Sequence, residues 1–353
     1  MSPEDSDFLP APREVTEPIY DPWNTGEREA VATDDELAMD AETTVSPFQQ
    51  RRLGAVLGAA IGDALGHPTE FIRSFQAIWD RYGPSGVTGY ELYREWEGKR
   101  YAPYTDDTQM AEIVLRTLLE AKEAGTPLSL DATMTRMGER FVHWARAPQG
   151  GHRHPGGACL AACDALGKGA KWFEAGGERA GGCGSVMRAY PFGLVFSDDV
   201  ETAERWAVAH SALTHRDPIA LAACAAMAVG MCHVLADRPL RFVLSEMVAA
   251  ACRYDTGTAR LLVNAISDAA DGVAPTEALD RYLGWAAHEA IAGAVYVFAR
   301  HPDDPRTALL EAANSPGDSD SLATIVGSLV GARGGIYALP QLWVAALERV
   351  DAL

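Results

Sequence analysis

Four aspartates in two short stretches carry the densest chemistry in this sequence. Asp318 and Asp320 lie in Gly317-Asp318-Ser319-Asp320-Ser321, and Asp106 and Asp107 in Thr105-Asp106-Asp107-Thr108. Each stretch sets two carboxylates beside a hydroxyl, Ser321 in one and Thr105 in the other, just ahead of a run with helical character. Read alone, each is a good helix start. Asp, Ser and Thr are preferred N-caps, and the helix dipole favours negative charge there. Read together, they offer hard oxygen donors from two helix starts far apart in sequence, and cations held between them would offset their mutual repulsion.

Other reactive groups flank these stretches. Asp63 and Glu70 border the end of a small, apolar segment, residues 52–66, where an unpaired charge is costly. Asp63 reads as a cap or loop brace, and Glu70 either as that or as a working carboxylate. The Gly181-Gly182-Cys183-Gly184-Ser185 loop leads into an expected helix. It is either an ordinary turn or a backbone cradle for a phosphate. A second glycine-rich loop, residues 150–157, carries His152 and His154. His215 sits in a turn before an alanine-rich stretch, as a ligand-contacting group or a satisfied core histidine.

Helices must position these groups. Apolar residues at helical spacing predict helices at 49–66, 108–124, 131–147, 157–167, 201–212, 217–236, 240–253, 258–270 and 276–299. Residues 79–104 read as a loop region rich in Gly, Tyr and charge. No run shows sustained period-two alternation, so strands are few. The expectation is an all-α fold: a single compact multi-helix domain over residues 47–353.

Residues 1–46 differ, with thirteen acids against two bases and recurrent proline. They read as an acidic, disordered tail, or, because of Tyr20 and Trp23, as a segment that docks on a partner. The net charge of -19 argues against nucleic acid and anionic membrane surfaces. No uninterrupted apolar run approaches the ~18 residues of a membrane span, and the acidic N-terminal stretch does not resemble a signal peptide. The six cysteines form no CxxC pair and read as reduced, which points to a cytoplasmic protein.

Taken in order, Gly62-Asp63-Ala64-Leu65-Gly66 with Glu70, Thr105 to Thr108, Gly184 to Arg188, Ser211 to His215 and Gly317 to Ser321 resemble the motifs of the ADP-ribosylglycohydrolase family, of the dinitrogenase-reductase-activating type. The resemblance spans residues 50 to 338. It implies an all-α hydrolase that cleaves the N- or O-glycosidic bond to ADP-ribose in a modified protein, arginine being the preferred acceptor. It implies two Mg²⁺ ions held by Thr105, Asp106, Asp107, Asp318, Asp320 and Ser321, with Ser319 a spacer. It further implies catalytic roles for Asp107, Glu70 and Asp320, a diphosphate cradle at Cys183, Gly184 and Ser185, and a ligand contact at His215. Cys183 departs from the Asn common in the family. The acidic extension suggests an alternative: an immunity protein that inserts residues 1–46 into the active site of an ADP-ribosyltransferase toxin, with or without hydrolysis. A metal-binding domain without turnover is the third reading.

Overall fold

The computed structural model describes residues 45–96, 98–124, 129–148 and 150–348. The acidic segment 1–44, with Tyr20 and Trp23, lies outside the described residues. In chain order the helices are α1 (Pro47–Gly66), α2 (Phe75–Tyr82), α3 (Asp106–Glu123), α4 (Leu130–Arg146), α5 (Gly157–Gly167), α6 (Trp172–Ala175), α7 (Tyr190–Val195) and α8 (Val200–Ala212). They continue as α9 (Pro218–Leu235), α10 (Leu240–Cys252), α11 (Thr256–Ala270), α12 (Pro275–Ala278), α13 (Ala287–Arg300), α14 (Pro305–Ala313), α15 (Ser319–Gly334) and α16 (Gln341–Ala346). Among the described residues the one sheet is an antiparallel pair, β1 (Arg94–Trp96) and β2 (Lys99–Tyr101), with Arg94 opposite Tyr101. The fold is all-α.

Two helices set the frame of the site. Ser46 opens α1 with a capping box: its hydroxyl accepts from the Gln49 N–H (3.3 Å), and Gln49 Oε1 accepts from the Ser46 N–H (3.0 Å). Gly54, Gly58, Gly62 and Gly66 then recur every fourth residue along one face. That face meets Gly331, Gly327, Ala323 and Ser319 of α15, backbone against backbone, so the helices run antiparallel. A Cβ on Gly58 would overlap the Gly327 carbonyl, and one on Gly327 the Gly58 carbonyl. Close contact brings the C-terminal end of α1 to the N-terminal start of α15. Glu70 and Asp63 thereby reach Asp318 and Asp320.

The start of α3 is fixed from the same end of α1. Asp63 accepts from the Thr105 N–H (2.9 Å), the Thr108 N–H (3.0 Å) and the Thr108 hydroxyl (2.6 Å). Of its two sequence readings, the structure selects the brace. Nearly the whole surface of α9 is buried, among α7, α8, α10, α13 and α15. Its 18 residues have mean hydropathy 1.9, so this helix is long and apolar enough to cross a membrane. That corrects the expectation that no apolar run approaches such a length; here the run is a core helix, covered by its neighbours.

Two further expectations need correction. Residues 75–82, within and beside the expected 79–104 loop, begin with a helix capped by Ser74, whose hydroxyl accepts from the Ala77 N–H (3.2 Å). The helix expected over 276–299 is broken between α12 and α13. Gly284 takes φ +80° there, and the Leu283 carbonyl accepts from the Asp318 N–H (2.7 Å), an arrangement no continuous helix permits.

Candidate active site

The loop before α15 is pinned on both sides. Gly317, at φ +97°, donates to the Ile72 carbonyl (2.7 Å) and accepts from the Phe71 N–H (3.0 Å). Asp318 stands at the N-cap position of α15, yet its side chain makes no capping hydrogen bond. The plain capping reading therefore fails at this helix. At α3 it holds in part, because the Thr105 hydroxyl accepts from the Asp107 N–H (3.3 Å) while Asp106 and Asp107 turn away into a cleft. Ser319, between the two aspartates, does not line the cleft: its hydroxyl donates to the Gly66 carbonyl (2.9 Å) and accepts from Thr69 Oγ1 (3.0 Å), tying α15 to α1.

The cleft has a volume of about 510 Å³, within the range of small-molecule sites. Asp106, Asp107, Asp318, Asp320, Ser321 and Glu70 share its walls with Cys183, Gly184 and His215. Thr105 and Ser185 are set back from it. The Ser185 hydroxyl faces the core, paired with Ser211 Oγ (2.9 Å) and accepting from Cys224 Sγ (3.4 Å). The glycine turn also differs from expectation. Cys183 to Ser185 form a 3-10 turn rather than the entry to a long helix, and the Cys183 N–H is committed to the Trp285 carbonyl (3.1 Å). Any backbone cradle thus falls to Gly184 and Ser185. The Cys183 thiol, pushed well up by burial and by Asp318, stays protonated and donates to Asp318 Oδ2 (2.8 Å).

The four aspartates are buried, and among the described residues none forms an ion pair with Lys, Arg or His. Burial first, then mutual repulsion and the nearby Glu70, push Asp106, Asp107 and Asp320 well above the usual carboxylate range; Asp318 is raised to about 6. Asp107 Oδ1 is buried with no hydrogen-bond partner among the described residues. An all-oxygen donor set, an orphaned carboxylate oxygen and uncompensated negative charge fit a hard divalent cation. Asp106, Asp107, Asp318, Asp320 and Ser321 are the lining residues that would hold it, with Thr105 set back and hydrogen-bonded to Asp107.

Glu70 is treated differently. Its Oε2 accepts from Nδ1 of both His154 (3.1 Å) and His67 (3.3 Å). Burial alone would raise its pKa, but the hydrogen bonds from His154 and then His67 outweigh it and leave the carboxyl below its ordinary value. The donor atoms of the three side chains lie within 4.8 Å of one another, a second group able to take a cation. Nothing in the sequence marks His67 and His154 as partners of Glu70, three and eighty-four residues away. Nor does the sequence mark Phe71 and Trp285. They stack at the cleft mouth with ring centroids 5.4 Å apart, and only the broken 276–299 helix brings Trp285 there.

Fold and site together define a class: a helical enzyme with an acidic, oxygen-lined cleft that a glycine turn also lines. Comparison with known proteins names the family. A family model described as ADP-ribosylglycohydrolase matches residues 44–353. The ADP-ribosyl-[dinitrogen reductase] glycohydrolase of Rhodospirillum rubrum is 27% identical over 301 residues, covering 84% of this chain and 90% of the relative. The ADP-ribosylarginine hydrolase Tri1 of Serratia proteamaculans is 26% identical over 323 residues, covering 85% and 76%. A solved structure titled ADP-ribosylglycohydrolase-related protein complex superposes with a TM-score of 0.62 at 25% identity, covering 86% of this chain and 94% of that one. The chain belongs to the ADP-ribosylglycohydrolase family and is a hydrolase of that type.

Proposed function

We propose that this protein releases ADP-ribose from modified protein, with arginine as the acceptor and two Mg²⁺ ions as cofactor. The observation that carries this reading is the set of four buried aspartates, unpaired by any cationic side chain among the described residues, at two helix starts facing one cleft. The arginine preference is supported by the relative named for ADP-ribosylarginine. When bound, Mg²⁺ supplies a Lewis acid that orients hydroxyl groups and lowers the pKa of water.

The chain's own residues do the rest. Cleavage at the anomeric carbon passes through an oxocarbenium-like state. The cluster of carboxylates makes the cleft floor favourable for positive charge developing there. Glu70, ionised and held by two imidazoles, is oriented to accept a proton from the attacking water. Asp107, with one oxygen unpartnered, is the second carboxylate within reach of that role. Gly184, which lines the cleft at the glycine turn with Ser185 set behind it, offers a backbone N–H where a diphosphate would lie. Phe71 and Trp285 give the mouth an apolar, planar surface suited to a nucleobase.

The test is release of ADP-ribose from protein modified at arginine, run beside serine-linked substrate, with Mg²⁺ or with chelator. Asp320→Ala is expected to abolish metal-dependent release. Full activity of that variant in chelated buffer overturns the proposal.

A further inference from the structure

Arg188 is a fully buried guanidinium that pairs with no carboxylate among the described residues. Its Nε donates to His210 Nε2 (3.0 Å) and its Nη2 to Thr214 Oγ1 (2.7 Å). Its Nη1 rests against Met110 Sδ (3.1 Å) and Cys159 Sγ (3.5 Å), and its plane covers the Phe141 ring at 4.7 Å from the centroid. A guanidinium has donors and no acceptor, so every polar atom it touches must accept. That rule assigns protons along two branches.

In the first branch, His210 Nε2 accepts from Arg188, so the His210 ring carries its proton on Nδ1, which donates to the Ala207 carbonyl (3.2 Å). In the second, Thr214 Oγ1 accepts from Arg188 and must place its own hydrogen elsewhere. Its remaining partner is His215 Nδ1, at 2.7 Å. Nδ1 of His215 is then an acceptor, and a neutral ring holds its proton on Nε2. The ring is neutral, because burial and then the Arg188 charge push its pKa down to about 3. Ser211 fixes the His215 backbone: its carbonyl accepts from the His215 N–H (2.6 Å) and its hydroxyl donates to the His215 carbonyl (2.9 Å). His215 lines the cleft, with Nε2 beside Gly182 and Gly184 and no hydrogen-bond partner among the described residues.

We propose that Arg188 and Thr214 are positioning residues that hold His215 as its Nε2–H tautomer, so that a neutral N–H donor faces the cleft at the glycine turn and receives a phosphate oxygen of ADP-ribose. The geometry is independent of the functional reading; the identity of the accepted oxygen rests on it. The arrangement keeps a second positive charge out of a wall that already buries one guanidinium, yet still turns a hydrogen-bond donor toward an anion. A donor to a charged group contributes more than a neutral pair.

Long-range ¹H–¹⁵N spectra of the imidazoles in the full-length, Mg²⁺-loaded protein test the tautomer directly, with the His215 signals assigned by their loss in His215→Gln. The expected result is an unprotonated Nδ1 and a protonated Nε2. Thr214→Val, which removes the hydroxyl and keeps the shape, is expected to mix or invert the tautomers and weaken ADP-ribose binding by about tenfold in calorimetry, about 1.4 kcal/mol. Thr214→Ser is expected to restore both. Arg188→Gln is expected to disturb the His210 and His215 signals together; should that variant not fold, the Thr214 pair decides. A wild-type ring protonated on Nδ1, or a Thr214→Val protein with unchanged tautomer and affinity, overturns the relay. A wild-type protein with the expected tautomer and no affinity for ADP-ribose leaves the relay standing and overturns the functional reading.

Discussion

Asp63 and Asp107 are both buried aspartates at helix ends, and their hydrogen bonds give them opposite tasks. Asp63 is saturated by the start of α3, whereas Asp107 keeps an oxygen with no partner. Side-chain type does not reveal which donors the fold brings near, so the sequence alone does not separate these tasks. Glu70 is the clearest case: its position after Pro68 marks it, but His154 reaches it only through tertiary structure. If Glu70 accepts the proton of the attacking water, Glu70→Gln should lower kcat by roughly 10²–10⁴. Mg²⁺ affinity, measured by calorimetry, should change little, since the glutamate is not among the residues assigned to the cation. A kcat within threefold of wild type would remove Glu70 from catalysis.

At the scale of elements, the glycine-lined contact of α1 with α15 is what makes two half-sites into one. Glycines are evident in both helices from the sequence, and so is their meaning for close approach. Their pairing is not, because Gly58 and Gly327 are joined only by long-range packing. Helices such as α5, α9 and α10 were legible to within a residue or two because one apolar pattern spans each. The break at Gly284 was hidden, since its flanks continue the helical period while tertiary contact with Asp318 decides the backbone. Gly327→Val places a branched side chain against the Gly58 carbonyl, and no rotamer escapes a backbone clash. Overpacking of a well-filled contact costs roughly 1–3 kcal/mol. Thermal unfolding should shift down by several degrees, and hydrolysis should fall even where the protein stays folded, because Asp318 and Asp320 move relative to Asp106 and Asp107. A variant with wild-type melting temperature and activity would show that the close approach is dispensable.

For the molecule as a whole, the cleft concentrates negative charge that the described residues leave unpaired, and thirteen further acids lie in the first 44 residues. A cation that binds only the folded state stabilises it, by about 2.7 kcal/mol at a hundred times its Kd. Mg²⁺ should therefore raise the melting temperature of the wild-type protein and leave Asp107→Ala nearly unmoved; equal shifts in both would place the ion elsewhere. The acidic segment calls for a separate experiment, since its aromatic anchors Tyr20 and Trp23 suit a basic cleft on a partner. A truncation must stop before Ser46, whose capping box belongs to α1. Removal of residues 1–44 should then keep kcat/KM within about twofold. On the alternative reading of that segment, it should also abolish any binding, measured by calorimetry, to the NAD-binding cleft of an ADP-ribosyltransferase. If the segment is what docks, this effect should separate from hydrolysis, which is assigned to the cleft. A truncated protein that loses hydrolysis while still folding would instead join the segment to the catalytic cleft, and one that still binds the transferase would move docking onto the body of the enzyme.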